Sequence, residues 1–140
     1  MNDSLDLGLK EKVAIIAGAG AKGDGIGNGR AAAILLAEAG AKVVVADKDQ
    51  ELAERTVQMI SERKGHAVSV AADLTKANGC EKVVEYALNH FGRLDILDNN
   101  IGIASNVSVV EESEEYWDRV MEINLKPMFL MSKYAIPAMI

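Results

Sequence analysis

Short, wholly apolar runs alternate along this chain with longer segments whose apolar side chains recur every three or four positions. VAIIA (13–17), KVVVAD (42–47), AVSVAA (67–72) and LDIL (94–97) are of the first kind and predict four strands. Residues 26–39, 49–64 and 76–91 are of the second kind and predict helices, stopped by Gly40, Gly65 and Gly92. Leu52, Ala53, Val57, Met59 and Ile60 carry the apolar stripe of the second helix; Val83, Val84, Ala87 and Phe91 carry that of the third. From Ser113 the pattern predicts one long helix with acidic residues in its first turn, where they suit the helix dipole.

Strand and helix alternate, and the strands are apolar on both faces. That combination predicts an α/β fold with a parallel sheet covered on both sides. Right-handed crossovers then leave the doubly wound, Rossmann-type sheet as the leading topology. No repeat, low-complexity segment or Pro/Ser-rich linker divides residues 1–140, which read as one domain.

Between the first strand and first helix lies AGAGAKGDGIGNGR (17–30), with six glycines in fourteen positions. In a doubly wound sheet this turn faces a ligand, and the following helix N-terminus attracts phosphate. Glycines let the backbone approach a diphosphate and permit positive φ. A literal G-x-G-x-x-G fits Gly18, Gly20 and Gly23, but no helical pattern starts after Gly23. Gly18 is therefore read as the turn residue and Gly25 and Gly27 as the helix-opening pair, with Asp24 as N-cap and residues 20–23 bulging outward. Asp47 ends the second strand 20 residues past Gly27, where an acidic residue takes the hydroxyls of an adenosine ribose. Its charge would repel a 2′-phosphate, so NAD is preferred over NADP; neighbouring Lys48 weakens that preference slightly.

Composition removes several function classes. The chain of 140 residues is 49% hydrophobic and 26% charged, as in ordinary globular domains. Its net charge of −6, from 15 basic and 21 acidic side chains, argues against a nucleic-acid partner. No apolar run approaches the ~20 residues of a membrane span, and the start, MNDSLDLGLKEK, lacks the basic-then-apolar layout of a signal peptide. The single Cys80 can form no internal disulfide, which fits a reducing cytoplasm. His66 and His90 stand 24 positions apart with no Cys or His near either, so no metal site is expected.

The glycine loop, Asp47, DLT (73–75), NNIG (99–102) and INLKPMFLMSK (123–133) follow one another in that order. Together they resemble the short-chain dehydrogenase/reductase family, from about Leu9 to Ile140, roughly the N-terminal half of that family's domain. The resemblance implies strand order 3-2-1-4 and reversible hydride transfer between a small-molecule alcohol or ketone and a nicotinamide. By the same resemblance Gly18, Gly25, Ile26 and Gly27 would line the diphosphate, and Asp47 would take the adenosine ribose. Asp73 and Leu74 would flank the adenine, Asn100 and Gly102 would lie near the nicotinamide-side ribose, and Asn99 would brace strand four. Asn124 matches the catalytic helix asparagine that organises a proton-relay water. The last helix packs between subunits in the family, which implies a homo-oligomer for a full-length protein.

The chain also departs from the family pattern. Ala17 replaces the threonine before the first glycine, the loop from Gly18 to Gly25 is three residues longer, and acidic Asp24 precedes Gly25. Asp98 and Ile101 replace an apolar residue and an alanine around the Asn pair. A buried carboxylate at 98 would have to find partners or protonate. The family's serine and Tyr-x-x-x-Lys should follow the last helix. Here Tyr86, Tyr116 and Tyr134 are followed four positions later by His90, Val120 and Ala138, so none has the lysine that labilises the phenolic proton. Residues 1–140 are thus expected to be an NAD-binding half, truncated after the helix following strand four and inactive alone. Strand four would be an uncovered edge, making the isolated chain unstable, aggregated or obligately associated. Pro127 reads as an ordinary kink inside the last helix. Two other classes remain: a non-catalytic NAD-binding or regulatory module, and an S-adenosylmethionine methyltransferase. The latter also pairs a glycine loop with an acidic strand end; NNIG and Asn124 count against it.

Overall fold

A computed structural model of the chain describes residues 7–140. The first six residues, part of the segment read as lacking a leader, lie outside that range. Four strands, β1 (Val13–Ala17), β2 (Lys42–Asp47), β3 (His66–Ala71) and β4 (Ile96–Asn99), form one sheet in the order β3-β2-β1-β4. All three pairings are parallel, as the two-sided apolarity of the strands requires. The helices are α1 (Asn28–Glu38), α2 (Gln50–Glu62), α3 (Ala77–Phe91), α4 (Glu114–Asn124) and α5 (Lys126–Met139).

Alternation along β1 divides the core in two. Val13, Ile15 and Ala17 join Val44, Ala46 and Val70 in one layer, closed by Val83, Val84 and Ala87 of α3 and Leu130, Met131 and Ala135 of α5. Ala14 and Ile16 join Val43 and Val45 in the other, closed by Ala33, Ile34 and Ala37 of α1 and Ala53, Met59 and Ile60 of α2. Each fully buried Val or Ile among these contributes roughly 1.5–3 kcal/mol over its exposed state.

Several boundaries differ from the sequence pattern. β4 runs over 96–99 instead of 94–97. Leu94 drops into the core, and Asp95 turns its carboxylate onto the Val13 N–H at 2.9 Å, so the ladder opens at Ala14↔Ile96 and continues to Ala17↔Asn99. Asp98 lies half-buried on this edge strand, so the cost of a fully buried carboxylate does not arise. α1 opens at Asn28 with Gly27 as its N-cap, and no side chain caps it. Asp24 is not the cap, because its carboxylate is engaged by Arg55 of α2 at 2.7 Å. The outward bulge is residues 22–28, all exposed, instead of 20–23. The long helix after Ser113 is two helices broken at Leu125. Pro127 sits in the first turn of α5, where its missing N–H costs nothing. The interior proline is Pro137. None of the residues of α4 is buried.

Candidate active site

Loops at the C-terminal ends of the strands enclose a cleft of about 830 Å³. It lies where the strand order reverses between β1 and β4, the position at which open α/β sheets bind ligands. Its lining includes Gly18 and Gly20 after β1, Asp47 at the end of β2, Asp73 and Leu74 after β3, and Asn100 and Gly102 after β4. Six residues singled out in the sequence therefore meet at one place: Gly18, Asp47, Asp73, Leu74, Asn100 and Gly102. Gly25, Ile26 and Gly27 do not line it; they lie on the exposed loop behind.

Gly18 has φ +79°, a conformation that side chains rarely adopt. A Cβ there would also stand 2.9 Å from the Ile101 nitrogen and 3.0 Å from the Asn100 oxygen. The turns after β1 and β4 thus touch only because residue 18 lacks a side chain. The close approach between α1 and β1 belongs to Gly29, where a Cβ would overlap the Gly18 carbonyl oxygen. That is the helix-packing role of the last glycine in such loops, and it falls two residues beyond the pair assigned from sequence.

Asp47 is tied to the loop. Its Oδ2 accepts the Gly20 N–H at 2.9 Å, and Oδ1 accepts the Asp49 N–H at 3.1 Å. A carboxylate has about four acceptor sites, so both oxygens retain capacity for hydroxyl donors. Asp73 accepts the Thr75 hydroxyl at 2.6 Å and the Thr75 N–H at 3.0 Å, both on Oδ1. These two bonds, the hydroxyl's first, hold its carboxyl below the usual carboxylate range. Leu74 borders the cleft while its side chain is buried in the core. Lys48, Lys76, Arg119 and Glu122 complete a charged rim, with Lys76 and Glu122 3.7 Å apart.

Asn124, at the end of α4, faces the loop after β4. Its Oδ1 accepts the Ile103 N–H at 2.8 Å, and its Nδ2 donates to the Ile103 carbonyl at 2.9 Å. One side chain thus mimics a strand partner for a single residue. It also holds the loop so close that a Cβ on Gly102 would stand 3.6 Å from the Asn124 amide. Asn99 Oδ1, at the end of β4, is buried with no hydrogen-bond partner among the described residues. Cys80 is sealed away: burial pushes its thiol up to about 11, and Sγ donates to the Leu74 carbonyl at 3.2 Å. Among the described residues no helix is long and apolar enough to cross a membrane, and no group of three or more His, Cys, Asp or Glu side chains gathers into a metal-binding cluster.

Sequence reasoning missed Arg30, whose side chain is fully buried beneath the glycine loop. The available signal was its position, a lone cation in the first turn of an alanine-rich helix. It also missed the Gly20–Asp47 bond, for which a glycine 27 positions upstream of an aspartate gives no local pattern.

Known proteins resemble this chain in sequence and fold. The family model described as short chain dehydrogenase matches residues 12–140. An oxidoreductase of Thermotoga maritima is 40% identical over 133 residues, covering 95% of this chain and 50% of that protein. Cyclohexanol dehydrogenase of an Acinetobacter species is 38% identical over 133 residues, covering 94% of this chain and 51% of that protein. The crystal structure of a hydroxysteroid dehydrogenase from Escherichia coli superposes with a TM-score of 0.84 at 33% identity, covering 94% of this chain and 53% of that one. The chain spans about half the length of the curated relatives it matches.

Proposed function

This chain belongs to the short chain dehydrogenase family, an oxidoreductase family, and from that premise we propose that its cleft holds the nicotinamide dinucleotide of an enzyme interconverting an alcohol and a ketone. The observation that carries the reading is the Asp47 carboxylate, fastened to the Gly20 N–H on the cleft wall beside the β1/β4 crevice. The residues present fit such a group: both Asp47 carboxylate oxygens keep acceptor capacity for sugar hydroxyls at the wall of a cleft of about 830 Å³. In this assignment the opening turn of α1 faces the diphosphate, which runs past the Gly18 and Gly20 backbone. Asp47 accepts the adenosine ribose hydroxyls, Asp73 and Leu74 flank the adenine, and Asn100 and Gly102 meet the nicotinamide-side ribose. Gly25, Ile26 and Gly27 serve the same end from outside, as the stretch that leads the loop into α1. Bound there, a nicotinamide supplies hydride exchange.

Asn124 holds the Ile103 peptide, and with it the floor under the nicotinamide end; its relation to a proton-relay water belongs to this proposal. Within residues 1–140 no tyrosine is followed by lysine at the fourth position, so a polypeptide of these residues alone binds without turnover. A 2′-phosphate would meet the Asp47 charge, which favours NAD over NADP. The exposed Trp117 of α4, Leu125 at the break, and Met128 and Phe129 of α5 support self-association, and the lone, unpaired Cys80 supports a cytoplasmic location.

The test is titration of the 140-residue chain with NADH, NADPH and S-adenosylmethionine, read by nicotinamide fluorescence and calorimetry. NADH is expected to bind at least about tenfold more tightly than NADPH, a difference of roughly 1.4 kcal/mol. S-adenosylmethionine binding without NADH binding would overturn the assignment.

A further inference from the structure

Arg30 lies in the first turn of α1, yet its side chain is turned inward and has no exposed surface. Its Nη1 donates to the carbonyls of Gly23 at 2.8 Å and Gly25 at 2.7 Å, and Nη2 donates to that of Ala21 at 2.8 Å. Its Nε donates to Thr56 Oγ1 at 2.9 Å, and this hydroxyl, also buried, donates on to the Ala19 carbonyl at 2.8 Å. One guanidinium therefore gathers three alternate loop carbonyls directly and a fourth through α2.

Every partner in this set is neutral. Asp24 is occupied by Arg55 at the surface, and Arg30 makes no ion pair among the described residues. A buried cation without a counter-charge is costly, and the positive end of a helix dipole adds to that cost. Burial accordingly pulls Arg30 below the ordinary arginine value. Such a group is tolerated only if its hydrogen bonds are all satisfied, and that requires the loop to take one conformation. Because each peptide is trans and planar, the N–H groups of Lys22, Asp24 and Ile26 point away from the carbonyls held inside. The loop has little else to order it: residues 22–28 are exposed, and ahead of the Ala31–Gly27 bond that opens α1 their other links are the Gly25–Lys22 turn bond and the Asp24–Arg55 pair.

We infer that Arg30 is a positioning residue: a buried guanidinium post around which the Ala19–Gly27 loop is wound, so that the diphosphate side of the cleft is formed before the dinucleotide arrives. The inference rests on the dinucleotide assignment for its functional half and on geometry alone for its structural half. A loop ordered in advance spares the ligand the ordering cost on binding. It also explains how a six-glycine stretch, flexible by composition, presents a fixed Gly20 N–H to Asp47.

Lys22 lies at the exposed tip, which makes trypsin the probe. Cleavage after Lys22 is followed by mass spectrometry, and NADH affinity by fluorescence, for the 140-residue chain and its R30M, R30K and T56V variants. R30M is expected to be cut after Lys22 at least ~10-fold faster, since local cleavage follows the population of the open loop. Its NADH affinity is expected to fall at least ~10-fold, with R30K intermediate in both readouts. If R30M does not fold, T56V, which removes one of the four links, decides with a smaller shift in the same two readouts. A folded R30M, or T56V in its place, cut no faster than the parent would overturn the inference. So would faster cutting with unchanged NADH affinity. A parent chain that binds no NADH while R30M still opens after Lys22 would instead refute the dinucleotide assignment and leave the post standing.

Discussion

Two glycines, two residues apart, are predicted to behave very differently when replaced by alanine. At Gly29 the new Cβ would overlap the Gly18 carbonyl oxygen and lie 3.0 Å from the Gly18 carbon and 3.1 Å from the Ala19 Cα. All three atoms belong to a turn that cannot recede, because the Gly18 N–H is bonded to the Ala46 carbonyl at 2.8 Å and Gly18 already abuts Asn100. α1 must therefore move away by about 1 Å to reach ordinary contact distances. That movement opens the seam where Ala33, Ile34 and Ala37 are buried and loosens the Arg30 hydrogen bonds. Overpacking of this kind costs about 1–3 kcal/mol, and we place Gly29→Ala at the upper end, about 3 kcal/mol. At Gly27 the new Cβ would sit 3.8 Å from the Ala21 Cβ, an ordinary contact, with φ −85°. Gly27→Ala should cost no more than about 1 kcal/mol, the scale of a weakened N-cap. Urea unfolding and thermal melting give the comparison, with roughly 2–4 °C expected per kcal/mol. Equal stabilities for the two variants, or Gly29→Ala melting within about 2 °C of the parent, would refute this account of how α1 meets β1.

Two further outcomes follow from side chains that hydrogen-bond the backbone. Asp95 accepts both Arg93 nitrogens at 2.6 and 2.9 Å and the Val13 N–H at 2.9 Å; the Arg93 bonds first of all lower its carboxyl to about 2. Its folded value lies below the unfolded one, so its contribution is full above about pH 4 and is lost as pH falls toward the folded value. Asp95→Asn should therefore lower stability at neutral pH by about 1–2 kcal/mol, discounted because Arg93 is solvent-facing. The gap from the parent should close in acid unfolding curves; a gap independent of pH would contradict it. Asn124→Ala removes both bonds to Ile103 and should cost about 1–3 kcal/mol, with the Ile103 amide losing protection in hydrogen exchange. Asn124→Asp keeps the acceptor but sets a carboxylate oxygen against the Ile103 carbonyl, so it should be worse at neutral pH than at low pH.

The sheet was legible because its signal is local and repeated. VAIIA and KVVVAD match β1 and β2 residue for residue, since buried parallel strands carry an uninterrupted apolar run. β4 slipped by two because its last residues are polar, and polarity at the cleft end of an edge strand reads in sequence as loop. The break at Leu125 reads in sequence as a mere kink because the apolar pattern runs on through it; Pro127 in the first turn of α5 and the packing of α5 on α3 and β4 together start a new helix there. In the site, single residues at strand ends could be placed because each follows its strand directly. The loop could not, since six glycines give several registers and the choice is made by Arg30 and Gly29, through contacts with carbonyls that no sequence pattern encodes.

The central claim is that a dinucleotide lies in the cleft along Gly18, Asp47, Asp73 and Asn100. Backbone amide resonances of the isotope-labelled chain, followed during titration with NADH, test it most directly. The account predicts that the amides of Gly18, Gly20, Asp73, Asn100 and Gly102 shift together with one saturation curve, and that Asp47→Asn moves the curve to higher ligand concentration. Shifts confined to other surfaces of the folded chain, or none at saturating NADH, would contradict it.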